Sequence, residues 1–263
     1  MNTTRIVVDM IGRKVNVPVK PNRIISLVPS QTELLYDLGL TDEIVGQTIF
    51  CVHPDDMHQT KPRVGGTKKL NFEKIKALKP DLIIANKEEN NKQDIEMLEK
   101  DYPVWVSNIV DLPSALEMIL QVGVLVNKTK KSVQITTEIS NTFKDLKSLP
   151  NYPKTLYLIW KNPYMAAGKD TFINYLLKIS GFENIVLNHQ SRYPEIDEEV
   201  IKQADVILLS SEPYPFKDKH IEELKRINPK SVVKLVDGEL FSWYGSRLLY
   251  TAKYINSLVD ELA

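Results

Sequence analysis

Apolar and polar positions along this chain keep two rhythms, and the places where one gives way to the other mark its elements. Residues 5–18 alternate around Gly12-Arg13 and stop at Pro18 and Pro21, which predicts a short edge hairpin. Ile24 to Val28 is an unbroken apolar run of strand length. It ends at Pro29-Ser30, where Ser30 with Glu33 three residues on predicts a capping box ahead of Leu34, Leu35 and Leu38, in a helix closed by Gly39. The same order then repeats: strand Ile44–Thr48, helix Phe72–Leu78, strand Leu82–Ala85, helix Asp94–Lys100, strand Val104–Ser107. Strands alternating with helices predict a mostly parallel sheet with helices on both faces.

From Pro113 to Leu149 the strand signal stops. Ile135, Ile139, Phe143 and Leu146 fall instead at helical spacing, predicting a rod of about 20 residues and roughly 30 Å. After Pro150 and Pro153 the alternation resumes, with strands at Thr155–Trp160, Ile185–Leu187, Val206–Ser210 and Val232–Val236. Helices are expected at Thr171–Ile179, Glu198–Gln203, Lys219–Arg226 and Ser246–Leu262. The expected fold is α/β, with two lobes joined by one long backbone helix, each lobe a mostly parallel sheet with flanking helices. The boundaries are 1–112 for the N-terminal lobe, 113–150 for the connecting helical segment and 151–263 for the C-terminal lobe. An internal echo supports the division. Glu73 to Ile84 resembles Glu199 to Leu209 with two residues deleted, and Gly39 before Ile44-Val45 corresponds to Gly181 before Ile185-Val186.

Composition narrows the function classes. The 34 basic residues balance 34 acidic ones over 263 residues, with no basic stripe interleaved with aromatics, so nucleic-acid binding is not expected. One Cys excludes an internal disulfide and a Cys-based zinc knuckle. No apolar run approaches the ~18 residues of a membrane span; Ala115 to Val126 is interrupted by Glu117, Gln121 and Gly123. The first residues pass directly into Ile6-Val7-Val8 with no apolar leader. Either a signal peptide was removed and the protein is extracytoplasmic, or it stays in the cytoplasm. Neither a Gly-rich phosphate cradle, nor a G-x-S-x-G elbow, nor a His-Glu-x-x-His helix occurs, so no enzyme is expected and no catalytic residue is assigned.

Arg23 to Gly39, Ile44-Val45-Gly46, His53-Pro54, Val64-Gly65-Gly66, Asn71 to Ile75 and Ala77 to Ile84 resemble the N-terminal lobe of the type III periplasmic binding proteins. Those proteins serve ABC importers of cobalamin, ferric siderophores and haem. Asn162-Pro163, Gly168-Lys169-Asp170, Gly181 to Ile185 and Asp237 to Arg247 match the C-terminal lobe. The resemblance implies a ligand clamped in a cleft between lobes, a permease dimer as partner, a monomeric binding protein and no cofactor of its own. Within it, Thr67-Lys68-Lys69-Leu70 stands where cobalamin binders offer an aromatic, which is a departure.

Ligands of open parallel sheets sit outside the carboxyl ends of the strands. The loops there are aromatic: Phe50 and His53, Tyr164 after Trp160, Tyr193, and Phe241, Ser242, Trp243 and Tyr244 before Arg247. Such faces suit a large, flat, partly apolar ligand, a corrin or porphyrin, with cobalamin or another corrinoid favoured and a siderophore or haem the alternative. Trp160 reads equally as core, and Trp105 is assigned to the core. The 241–244 cluster is expected to contact ligand because three aromatics in four loop residues are hard to bury together. Arg247 reads two ways: it could hold a ligand carboxylate or phosphate, or it could position the last helix.

The rival constellation is Cys51, His53, Asp55, Asp56 and His58, which gathers potential metal ligands in eight residues. It is read as a polar loop, with no metal assigned. His189 and His220 are expected at the surface. Glu73 and Glu199 occupy matching first-turn positions in the echoing segments. In the resembled family the corresponding glutamates face the permease; helix-dipole stabilisation is the plainer account. A cytoplasmic carrier or sensor on the same fold is the alternative to an importer component.

Overall fold

The structure is a computed structural model that describes residues 3–263. The chain folds as two compact units. The first comprises Met1–Ile109, Pro113–Ser140 and Tyr244–Leu249, and the second comprises Val110–Leu112, Asn141–Trp243 and Tyr250–Ala263.

The first unit opens with the expected hairpin, β1 (Thr4–Val8) antiparallel to β2 (Lys14–Pro18). Then follow β3 (Ile24–Ser26), α1 (Pro29–Asp37), β4 (Ile44–Gln47), α2 (Asp55–Thr60) and the short pair β5 (Gly65–Gly66) and β6 (Lys69–Leu70). Next come α3 (Phe72–Leu78), β7 (Leu82–Asn86), α4 (Lys92–Leu98), β8 (Val104–Ser107) and α5 (Leu112–Leu125). The sheet order is β4-β3-β7-β8, all parallel. β7 and β8 are buried along their whole length, as parallel strands covered on both faces are. Ile25, Leu27, Val64, Ile75, Ile83, Ile95, Leu98 and Val106 form the core, with Trp105 also buried.

α6 (Thr129–Lys144) is the rod foreseen from the Ile135, Ile139, Phe143 spacing, and the division between units falls within it. It is a helix distinct from α5: Asn127 takes a left-handed φ of 57° between them, which ends the hydrogen-bond ladder.

The second unit continues with β9 (Lys154–Trp160), β10 (Tyr164–Ala166), α7 (Phe172–Ile179), β11 (Glu183–Asn184), β12 (Glu195–Ile196), α8 (Glu198–Ile201), β13 (Val206–Ser210), α9 (Asp218–Ile227), β14 (Val232–Val236), α10 (Gly238–Ser242) and α11 (Leu248–Leu262). β11, β9, β13 and β14 run parallel in that order, reproducing β4-β3-β7-β8 strand for strand. On the β11 side, β9 also takes β10 antiparallel near its carboxyl end, and β10 takes β12.

The echo read in the sequence is thus an echo of structure. Asp81 accepts backbone N–H bonds from Asn22 and Arg23 at the start of β3, both at 2.9 Å. Asp205 accepts one from Lys154 at the start of β9, also at 2.9 Å. Gly39 and Gly181 both sit at left-handed φ, 83° and 78°, where a Cβ is disfavoured.

Two local expectations fail. Ile185–Leu187 is a turn, and the parallel pairing is made two residues earlier at Glu183–Asn184. Ser30 forms no capping box: Pro29 opens α1, Val28 is the N-cap with no side-chain cap bond, and Glu33 is bonded elsewhere. Proline is suited to the first helical position because it has no N–H to leave unpaired there, and it moves the start one residue ahead of Ser30.

Candidate functional site

In the first unit the carboxyl ends of the parallel strands carry a buried neutral network. Gln31 on α1 donates to the Ser107 hydroxyl, Asn86 donates to Ser107 Oγ at 3.0 Å, and Asn90 donates to the Leu27 and Thr67 carbonyls at 3.2 and 3.1 Å. Beside this floor the loop after β4 leaves Ile49 and Phe50 exposed, at 46% and 52%. Phe50 lies over Gly66, where an added Cβ would come within 3.1 Å of the ring. A glycine there lets the ring approach the β5–β6 backbone.

Cys51 is fully buried, its sulfur 3.1 and 3.2 Å from the Thr32 and Thr48 hydroxyls, and burial pushes its pKa up. His53 is half-buried. His58 Nδ1 bonds the Cys51 carbonyl at 3.0 Å, leaving Nε2 to accept from Arg63 at 3.2 Å, so both ring nitrogens are engaged. Asp56 accepts from the Met57 N–H at 2.9 Å. Among the described residues no three His, Cys, Asp or Glu side chains are grouped to hold a metal ion.

Arg247, within the Tyr244–Leu249 segment that belongs to this unit, makes a bidentate pair with Glu33. Nε reaches Oε2 at 2.9 Å and Nη2 reaches Oε1 at 2.7 Å, with both side chains about 15% exposed. Burial raises the Glu33 pKa above the ordinary carboxylate value, against the opposing pull of Arg247. The pair joins α1 to the residue ahead of α11.

In the second unit, Trp160 ends β9 at 40% exposure, its ring edge-on to Tyr214 with centroids 5.7 Å apart. Core burial of Trp160 is therefore set aside. Tyr164 on β10 and Tyr193 ahead of β12 are half-buried, and desolvation raises the Tyr164 pKa. Tyr214 continues into Phe216 and His220 at centroid distances of 4.7 and 5.5 Å. His220 is buried, not at the surface: its Nδ1 accepts the Lys217 N–H at 2.8 Å, and burial lowers its pKa. Sequence reasoning missed this group. The signal was present in Tyr214-Pro215-Phe216, which follows the Val206–Ser210 strand as Phe50 follows Ile44–Thr48.

The expectation that the 241–244 cluster resists burial is overturned. Phe241, Trp243 and Tyr244 are 0%, 6% and 4% exposed. Phe241 packs on Tyr157 at 5.0 Å and Tyr254 at 6.3 Å, which a short helix, α10, makes possible by turning its side chain inward. Ser242 Oγ and Trp243 Nε1 both donate to Glu212 Oε1, at 2.6 and 3.0 Å. Burial raises the Glu212 pKa despite these two bonds. Among the described residues Phe50 and Trp160 are exposed near the carboxyl ends of β4 and β9, while Tyr164, Tyr193 and Tyr214 are half-buried.

Glu73 and Glu199 are exposed in the first turns of α3 and α8. Asn71 and Asp197 cap those helices two residues earlier, accepting from Lys74 N at 2.9 Å and Val200 N at 3.0 Å. Glu199 also pairs with Lys202 at 2.6 Å.

The periplasmic binding protein family profile matches residues 24–228. The chain belongs to that family. A periplasmic binding protein is a solute-binding protein rather than an enzyme, and any chelate it carries is its solute, not a cofactor. The chain is 28% identical over 208 residues to an uncharacterized ABC transporter substrate-binding lipoprotein, YvrC, of Bacillus subtilis, covering 74% of this chain and 65% of that one. It is 24% identical over 255 residues to the vitamin B12-binding protein of Pectobacterium atrosepticum, covering 92% and 90%. Its fold superposes with a TM-score of 0.79 on the periplasmic haem-binding protein BhuT in complex with two haems, at 20% identity and covering 92% and 99% of the two chains. No helix among the described residues is long and apolar enough to cross a membrane.

Proposed function

We propose that this periplasmic binding protein is the extracytoplasmic substrate-binding component of an ABC importer and that it captures a metal-chelate macrocycle, cobalamin or another corrinoid. The observation that carries the reading is an exposed aromatic near the carboxyl end of a parallel strand in each unit, Phe50 after β4 and Trp160 at the end of β9 with Tyr164 on the following β10, where ligands of parallel sheets are received; half-buried Tyr193 ahead of β12 is proposed with them. The near full-length likeness to a vitamin B12-binding protein supports the corrinoid. Haem is the second reading, favoured by the fold likeness to a haem-binding protein.

Glu73 and Glu199 are proposed as paired docking points for the permease. Each is exposed, each has a capping Asn or Asp two positions before it, and each leads into a central strand of its own sheet. Exposed charges of this kind set association rate and register more than affinity. The double variant Glu73→Ala, Glu199→Ala is expected to retain ligand affinity and to lose stimulation of the transporter.

Titrating the purified protein with cyanocobalamin, cobinamide, haem and ferric siderophores, followed by tryptophan fluorescence and calorimetry, tests the ligand. Tight cyanocobalamin binding supports the corrinoid reading. Binding of a siderophore alongside silence with every macrocycle overturns it.

A further inference from the structure

Arg247 has the chemistry to receive an acidic ligand group, yet its guanidinium is already committed to Glu33 in a two-bond fork at 2.7 and 2.9 Å. Glu33 lies in α1, which begins three residues after β3 ends, and His53 of the loop after β4 is close enough to act on its charge, as is Asp37. The pair therefore sits on the carboxyl-end side of the first sheet, on the side that carries Phe50. Both side chains keep about 15% of their surface open to solvent, so the pair is reachable from outside.

We propose that Glu33 is a charge-selecting residue: by holding Arg247 it withdraws a cation from the first unit's ligand-facing loops and sets the protein against ligands that present a carboxylate or catecholate there. This rests on the binding reading above. Two charges closed on each other present no net attraction to a third, so an acidic ligand group entering beside them finds no unmatched cation to offset the hydration it gives up. A ligand without net charge, such as cyanocobalamin, is not penalised. Haem, with two propionates, is. The buried floor of Gln31, Asn86 and Ser107 beneath the same strand ends is in keeping with that preference, since its amides and hydroxyl bond one another and place no charge there.

The test compares haem with cyanocobalamin by calorimetry in the whole chain. Glu33→Gln keeps the side-chain shape and removes the charge paired with the guanidinium. It should raise haem affinity relative to cyanocobalamin by about tenfold, the size of one charge-assisted bond. Adding Arg247→Gln should cancel the gain, and Glu33→Asp, which keeps the charge, should leave the ratio near that of the parent. A melting curve on each variant checks folding, and Glu33→Ala takes the place of the glutamine variant if the latter does not fold. A haem-to-cyanocobalamin ratio unmoved in the glutamine variant, or a gain that persists without Arg247, overturns the proposal while the binding reading stands. A parent protein that binds neither compound overturns both.

Discussion

The two units build one sheet twice, and they part company where those sheets end. β4-β3-β7-β8 and β11-β9-β13-β14 have the same order and direction, the same aspartate tie at the start of the first strand, and the same left-handed glycine after the first helix. Their carboxyl-end loops share almost nothing. The first unit sets a neutral amide floor, one exposed phenylalanine over a glycine, and a closed Glu33–Arg247 pair. The second pairs β9 with the antiparallel β10, places Trp160 at the end of the one and Tyr164 on the other, and buries the Glu212 carboxyl under Ser242 and Trp243. The scaffold is set by strand pairing, which repeats. Recognition is left to loops, which can diverge without disturbing it.

The comparison breaks first on burial. Phe241→Ala should cost about 3–5 kcal/mol of unfolding free energy, since the ring is fully enclosed by Tyr157 and Tyr254. Phe50→Ala, at an exposed position, should stay within about 0.5 kcal/mol. Denaturant unfolding of both variants checks this; similar losses would mean that the two aromatic loops are not used differently.

The aspartate ties should differ by degree. Asp81 accepts two backbone N–H bonds and Asp205 one. Asp81→Ala should therefore lose about 1–2 kcal/mol against about 1 kcal/mol or less for Asp205→Ala. Equal losses would weaken the correspondence between the two strand starts.

The smallest effect lies in pH dependence. Glu212 and Glu33 both hold their proton to higher pH in the folded chain than an ordinary carboxyl does, so each contributes stability at low pH that is lost as pH rises through its raised folded value. Glu212 is held by neutral donors and Glu33 by a cation, so the loss should be larger for Glu212. Stability measured from pH 4 to 8 should fall less steeply in Glu212→Gln than in the parent, with a smaller change in Glu33→Gln. The reverse order would contradict this account of the two carboxyls.

Much of the scaffold is legible in the sequence because it is written locally. The Ile24–Val28 and Leu82–Ala85 runs, the Ile135, Ile139, Phe143 spacing and the Glu73/Glu199 echo each lie within a few turns of chain, and the strands and helices stand close to where those patterns put them. The site is less legible because its partners are distant in sequence. Glu33 reads as a capping residue for want of sight of Arg247, 214 residues on. Phe241 and Trp243 read as open because nothing local shows Tyr157 and Tyr254 waiting to enclose the one and Glu212 to bond the other. His220 is the exception: Tyr214 and Phe216, which pack on its ring, lie only six and four residues before it, so its burial had a local signal.

Hydrogen exchange of the whole chain with and without saturating cyanocobalamin tests most directly the claim that recognition resides in the divergent loops of a repeated scaffold. New protection is expected in the loops holding Phe50 and His53, Trp160 to Tyr164, and Tyr193, with α3 and α8 unchanged so that Glu73 and Glu199 stay free for a partner. Protection concentrated in α3 and α8, or at the amino ends of the parallel strands, would contradict it.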